Sequence, residues 1–261
     1  MIYPHKSMDR LYDQALINME STVHILAQSV PPPQRVPYKD SFVYRYTEKS
    51  IHQALVQKLA RLVSTLHAAR LLMEYGFVQE QAALQRILDE IEEDITFLTF
   101  GVIFNDMTPL HKSYLDAFFE EEFNADTALE STQKRPMVPR KKIHAYISRM
   151  ESAPMDPYRT AELSRTLSKA YSGYIHAASP HIMDMYGGNP PKFHMHGMLG
   201  TERHHEHRAD LWNYFYRSII AFSFVAKAFG QDALFAKIRD FTREFARLSG
   251  KNYDLGKPQK T

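Results

Sequence analysis

The sequence predicts an all-α protein, a single helical bundle of about eight to nine helices around a buried, aromatic-rich central helix. Three observations carry this. Good helix formers (Leu, Ala, Glu, Gln, Lys, Arg, Met) dominate the chain. Glycine is scarce, at 10 of 261 residues, whereas an all-β chain spends glycine on its many turns. Apolar residues recur at three- and four-residue spacing in segment after segment, without sustained period-two alternation. At 44% hydrophobic and 24% charged residues, the chain can bury a sizeable core.

The first helix is expected from a Ser7 cap to about Gln28, with Leu11, Ala15, Met19, Val23 and Leu26 on one face. Pro31, Pro32, Pro33 and Pro37 then break the chain as a stiff connector. This divides the chain into an N-terminal arm and connector (1–38), a main bundle (39–250) and a loose tail (251–261). The arm is a candidate surface for pairing with a second copy of the chain.

Thr47 is the expected cap of a second helix carrying Ile51, Leu55, Leu59, Leu62, Leu66 and Met73 and stopping at Gly76. The third runs from about Val78 to Phe100, with Leu84, Ile87, Leu88, Ile91, Ile95 and Leu98 as its stripe. So short a connection makes the two antiparallel neighbours. Thr108 and Pro109 open a fourth helix ending near Phe123. A loop follows to Pro139, turning from acidic to basic, with Lys134 to Lys142 read as a solvated run.

A short helix holds Ile143, Ile147 and Met150. Asp156 and Pro157 start the next, which runs through Leu163 and Leu167 towards His176. Ser179 and Pro180 start a further turn or two. After a Gly/Pro loop, Thr201 caps the central helix, whose stripe is Phe215, Tyr216, Ile219, Phe222 and Phe229. The last helix carries Leu234, Ile238, Phe241, Phe245 and Leu248 and stops at Gly250. Leu211 to Phe229 is apolar around most of its circumference. It also holds Asn213, Arg217 and Lys227, so it is read as a bundle helix rather than a membrane span.

Composition excludes several function classes. There is no cysteine, hence no disulfide, thiol chemistry or Cys-type zinc site. A formal charge of +2 gives no global case for nucleic-acid or membrane binding. The polar N-terminus has no signal-like apolar segment, so the expected location is cytoplasmic. No Gly-rich phosphate loop or nucleophile elbow is present.

Four constellations remain. Seven of the 13 histidines lie at His176, His181, His194, His196, His204, His205 and His207. His194, His196 and His205 are the candidate ligands of a divalent metal. A di-iron bundle would need two Glu-x-x-His pairs, and Glu202–His205 is the only one in the sequence, which argues against a ferritin-like site. Ser168, Ser172 and His176 form a row at four-residue spacing, with Arg165 close to it. Such a row can bind an anion, with His176 as general base, or be a solvated face. Arg86 and Glu90 pair across one turn away from the third helix's stripe, as an exposed ion pair or, if covered, a buried polar element. Arg217, in the central helix, must reach water or find a carboxylate.

Two segments carry a resemblance. Residues 68–90, in which a Glu-x-Gly turn leads into a helix with an Arg-x-x-x-Glu pair, resemble one block of an uncharacterised bacterial all-helical family. Residues 167–177, with Ser172 and His176 as Ser-x-x-x-His, resemble its second block. The similarity spans roughly residues 50 to 225. The family is a domain of unknown function, and is loosely similar to HEPN-type helical domains, many of them RNA-cleaving toxins or defence components. The resemblance implies a shared polar pocket of Arg86, Glu90, Ser172 and His176. HEPN nucleases pair an Arg with a His a few residues on. Arg61 and His67 have such a separation, but Leu62 stands where that motif usually has a polar residue.

The expected function is therefore a ligand- or partner-binding helical domain, defence-associated by resemblance, with a polar pocket between helices. Arg165, Ser168, Ser172 and Arg217 are its candidate ligand contacts. The alternatives are a HEPN-like ribonuclease acting on RNA through His176, Arg86 and Glu90, or a metal-dependent hydrolase.

Overall fold

The computed structural model describes residues 4–121, 125, 127, 129–131, 137–150 and 171–250. They form a predominantly α-helical bundle: α1 (Pro4–Ala27), α2 (Ile51–Glu74), α3 (Val78–Ile103), α4 (Pro109–Phe118), α5 (Arg140–Met150), α6 (Ser179–Met183), α7 (Glu202–Ala228) and α8 (Asp232–Leu248), with residues 171–175 also helical. The start of the helix expected from Asp156, with Arg165 and Ser168, lies outside the described residues.

α2, α3 and α7 pack on one another at the centre, with α5 on α3, α1 lying across α2 and α7, and α8 on α7. Leu55, Leu59, Leu62 and Leu66 of α2, Leu88, Ile95 and Leu98 of α3, and Phe215 and Phe222 of α7 form one core. The N-terminal helix shares it: Leu11, Tyr12, Ala15, Leu16, Met19 and Leu26 are all buried in the same cluster. The apolar face of α1 is thus spent on its own body. No helix among the described residues is long and apolar enough to cross a membrane.

Several boundaries differ from expectation. α1 starts at Pro4, so Ser7 lies inside the helix. α2 is capped by Ser50 rather than Thr47. The Ser50 side chain accepts from the Gln53 N–H, and Gln53 reaches back to the Ser50 N–H as a capping box. α4 stops at Phe118, short of Phe123. Leu248, expected on the buried stripe of α8, is half exposed.

The larger correction is that the proline-rich connector leads into a hairpin. β1 (Gln34–Tyr38) pairs antiparallel with β2 (Ser41–Arg45) across the turn Lys39–Asp40, Val36 opposite Val43. Pro37 is tolerated because a two-stranded ribbon consists only of edge strands. Arg35 stacks over the Phe42 ring, and Arg45 makes a two-pronged pair with Glu121. A second, minimal ladder, β3 (Tyr186–Gly187) with β4 (Lys192–Phe193), lies in the Gly/Pro loop.

The Gly76 stop does more than end α2. Its φ is +74°, the left-handed region where glycine is unstrained, and a Cβ there would sit 2.7 Å from the Leu199 amide nitrogen. Met198 N–H donates to the Gly76 carbonyl, and a His204 ring nitrogen contacts the Met73 carbonyl at 3.0 Å. The loop before α7 thereby docks on the α2–α3 turn and fixes where α7 begins, with the Thr201 hydroxyl capping its first turn.

Candidate functional site: a charged junction in the bundle core

The middle of α3 reads Asp89-Glu90-Ile91-Glu92-Glu93-Asp94, five carboxylates in six residues. At 100° per residue they spread over about 200° of the helix, opposite the apolar stripe that passes through Ile91. Since α3 is packed on several sides, some must be inside, and Asp89, Glu92 and Asp94 are buried. A buried carboxylate without a partner costs several kcal/mol, so each demands a cation or a donor.

Two sets of partners supply them. On the α7 side, Arg217 donates from Nη1 to Asp89 Oδ1 at 2.7 Å, and its Nη2 lies 2.7 Å from Glu92 Oε2. The neighbouring Ser218 hydroxyl donates to Glu92 Oε1 at 2.7 Å. This answers the question posed by a charge in the central helix: Arg217 finds two carboxylates and keeps its side chain half exposed. On the α5 side, Arg140 reaches Asp94 and, at longer range, Glu90 and Glu93. Lys58 of α2 donates to the other Asp94 oxygen. Arg140 is therefore no part of a solvated basic run. It opens α5 and pins that helix to α3.

Electrostatics follow from burial. Desolvation raises the Glu92 carboxyl to about 7, partly offset by Arg217 and Ser218. Asp89 is also raised, by burial first, against the pull of Arg217. For Arg217, burial opposes the charge, but Glu92 and Asp89 outweigh it and push its pKa up. Tyr214 and Tyr171 share a hydrogen bond beside this network, and burial raises both phenols.

A cleft of about 230 Å³ opens against the junction, walled by Glu92, Glu93 and Thr96 of α3, His144, Ile147 and Ser148 of α5, and Arg217, Ile220, Ala221 and Phe224 of α7. Glu93 and His144 approach to 2.9 Å on its wall, but the angle at the imidazole Nε2 does not make a hydrogen bond. Glu92 Oε2 is likewise near Arg217 without an aligned bond. Both are close polar contacts whose misalignment leaves hydrogen-bonding capacity unspent. The Ser148 hydroxyl, on a residue 6% exposed, has no hydrogen-bond partner among the described residues.

No family model, curated protein or solved structure matches the chain.

The residues singled out from sequence fall in three places. Arg86 and Glu90 form the expected pair, Arg86 largely covered, and Glu90 joins the junction through Arg140. Ser172 is half-buried and His176 exposed, and neither bonds to Arg86 or Glu90 among the described residues. His196 and His205 are exposed and His194 half-buried. Among the described residues no three His, Asp or Glu side chains gather as a metal ion requires. Two other histidines of that segment are buried. His207 meets Tyr174, which also faces Asp184, itself paired with Arg203, and burial lowers the His207 pKa.

Glu92, Glu93, Asp94, Arg140, His144 and Ser148 were not anticipated as site residues. The available signal was the density of the acidic run itself, five carboxylates in six residues.

Proposed function

We propose that this protein is a ligand-binding helical domain whose site is the cleft between α3, α5 and α7. The observation that carries it is the unspent hydrogen-bonding capacity of the wall: the Ser148 hydroxyl and the misaligned Glu93–His144 contact beside a cavity. Interiors rarely leave such groups unsatisfied, and a pocket with apolar walls and a few convergent polar groups is the usual form of a small-molecule site. The volume lies below the usual range for drug-sized ligands, so the ligand is small.

The ribonuclease alternative rests on the family resemblance and on His176, which is exposed. The hydrolase alternative rests on histidines that are not gathered among the described residues. Neither has a comparable constellation behind it.

The test is a fragment screen by protein-observed NMR. Hits should shift resonances of α3, α5 and α7 around the cleft and vanish when Ser148→Phe fills it. Hits that map elsewhere, or that survive the filling, would overturn the reading. Cleavage of RNA by the wild type but not by His176→Ala would instead establish the nuclease.

A further inference from the structure

Resting on that reading of the cleft, we infer that its ligand is a small organic cation: a protonated amine seated against Glu93, hydrogen-bonded to Ser148, with its apolar body on Ile147, Ile220 and Phe224.

The argument starts from how the charges are spent. Five carboxylates of α3 converge on the junction, and the permanent cations paired with them are Lys58, Arg86, Arg140 and Arg217. Asp94 takes Lys58 and the close contact of Arg140. Glu90 takes Arg86. Asp89 and Glu92 share Arg217. Glu93 is left over. Its nearest permanent cation is Arg140 Nη1 at 3.7 Å, on an atom already committed to Asp94. Glu93 lines the cleft together with His144 and Ser148, and Glu92, the other carboxylate there, is already engaged by Arg217 and Ser218.

An anion is disfavoured by the same geometry. Among the described residues Arg217 is the only permanent cation on the wall, and both its amino groups are engaged by Asp89 and Glu92. An anionic ligand would have to displace one of these carboxylates while facing Glu93. A protonated amine meets the opposite situation. It supplies the missing charge, its remaining N–H groups find the Ser148 oxygen, and the Phe224 face on the far wall suits a cation or its adjoining methylenes. The acidic cluster alone would not mark a site. The cavity, together with the buried Glu93 Oε2 and His144 Nε2 atoms on its wall that make no aligned hydrogen bond and the largely covered Ser148 beside them, is what points to an occupant.

The experiment compares three probes of nearly equal shape and different charge: phenethylamine, 2-phenylethanol and phenylacetate. Binding is measured by titration calorimetry at mildly alkaline pH, where the amine is still charged. The proteins are the wild type, Glu93→Gln, Ser148→Ala and the cleft-filling Ser148→Phe, with folding checked by circular dichroism. The amine is expected to bind at least about tenfold more tightly than the other two. Glu93→Gln should abolish that preference, Ser148→Ala should weaken the amine several-fold, and Ser148→Phe should abolish binding.

If the alcohol or the acid binds as tightly as the amine and is lost in Ser148→Phe, the cation inference is overturned while the cleft remains a ligand site. If the amine binds but Glu93→Gln leaves its affinity unchanged, the inference is overturned as well. If none of the three binds the wild type at millimolar concentration, inference and reading fall together.

Discussion

Glu92 is the place where the buried charge of this fold should be measurable. Folding raises its carboxyl from 4.5 to about 7, chiefly because the side chain is desolvated. Between those values the native protein holds a proton that the unfolded chain has released. The unfolded state then binds fewer protons, so stability must fall as pH rises. The contribution is fully present below about 4.5 and lost once pH passes about 7. At about 1.4 kcal/mol per pH unit the interval amounts to about 3 kcal/mol.

Glu92→Gln isolates this term. Glutamine copies the protonated acid, can donate to the Ser218 oxygen and can turn its carbonyl to Arg217. Total stability would mix in groups of opposite sign, since burial lowers the His111 and His207 pKa values and costs stability as pH falls. The informative quantity is therefore the difference between variant and wild type, from urea unfolding at about pH 5 to about pH 8 with unchanged m-values. At the acid end the two should agree within about 1 kcal/mol. At the alkaline end the variant should have gained up to about 3 kcal/mol on the wild type. A difference that stays constant across the range, or grows in the other direction, would refute the placement of Glu92 as a desolvated acid.

Three further substitutions probe what holds the junction together. Asp94→Ala strands Lys58 and Arg140 against α3 and should cost about 3 kcal/mol in chemical denaturation, with α5 losing amide-exchange protection first. Gly101→Ala would place a Cβ 2.6 Å from His111 Nε2, the atom that bonds the Phe97 carbonyl. A destabilisation of about 1–3 kcal/mol is expected, read as a lowered denaturant midpoint. Thr201→Ala removes the hydroxyl that caps α7 and should cost about 1 kcal/mol, while Thr201→Ser should restore most of it.

The helices were legible because their signals are local. The 3.6-residue stripes of α2, α3 and α7, the Thr108–Pro109 start and the Gly76 stop each depend on a few neighbouring residues, and the structure follows them closely. The hairpin was hidden by a rule applied too broadly. Pro37 was read as a breaker, although Val36, Tyr38, Phe42, Val43 and Tyr44 are β formers flanking a two-residue turn. The Ser50 cap shows a similar competition. Thr47 and Ser50 are both good caps, and only Ser50 has a glutamine three residues on to close the box.

The site was harder to read because it depends on which faces are covered. Seen alone, Arg86 and Glu90 form a solvent-type pair, and the acids that follow look like an exposed face. At 100° per residue all five lie on the side opposite the apolar stripe, so periodicity alone sends them to solvent, and only the packing of α5 and α7 on that side buries them. Once the helix is central, burial of some acids is forced, and the sequence must hold cations for them on other helices. Arg217 had already stood out as a charge with no obvious place in an aromatic helix, and Arg140 as the end of a basic run. Each anomaly explains another: acids that must be buried in α3, and cations on α5 and α7 that need carboxylates. What no local pattern supplies is the pairing: Glu93 and Asp94 are neighbours on the helix, yet Asp94 holds Lys58 and the close contact of Arg140 while Glu93 has Arg140 only at 3.7 Å. That difference arises where α2 and α5 approach α3, and it is what leaves Glu93 for the cleft.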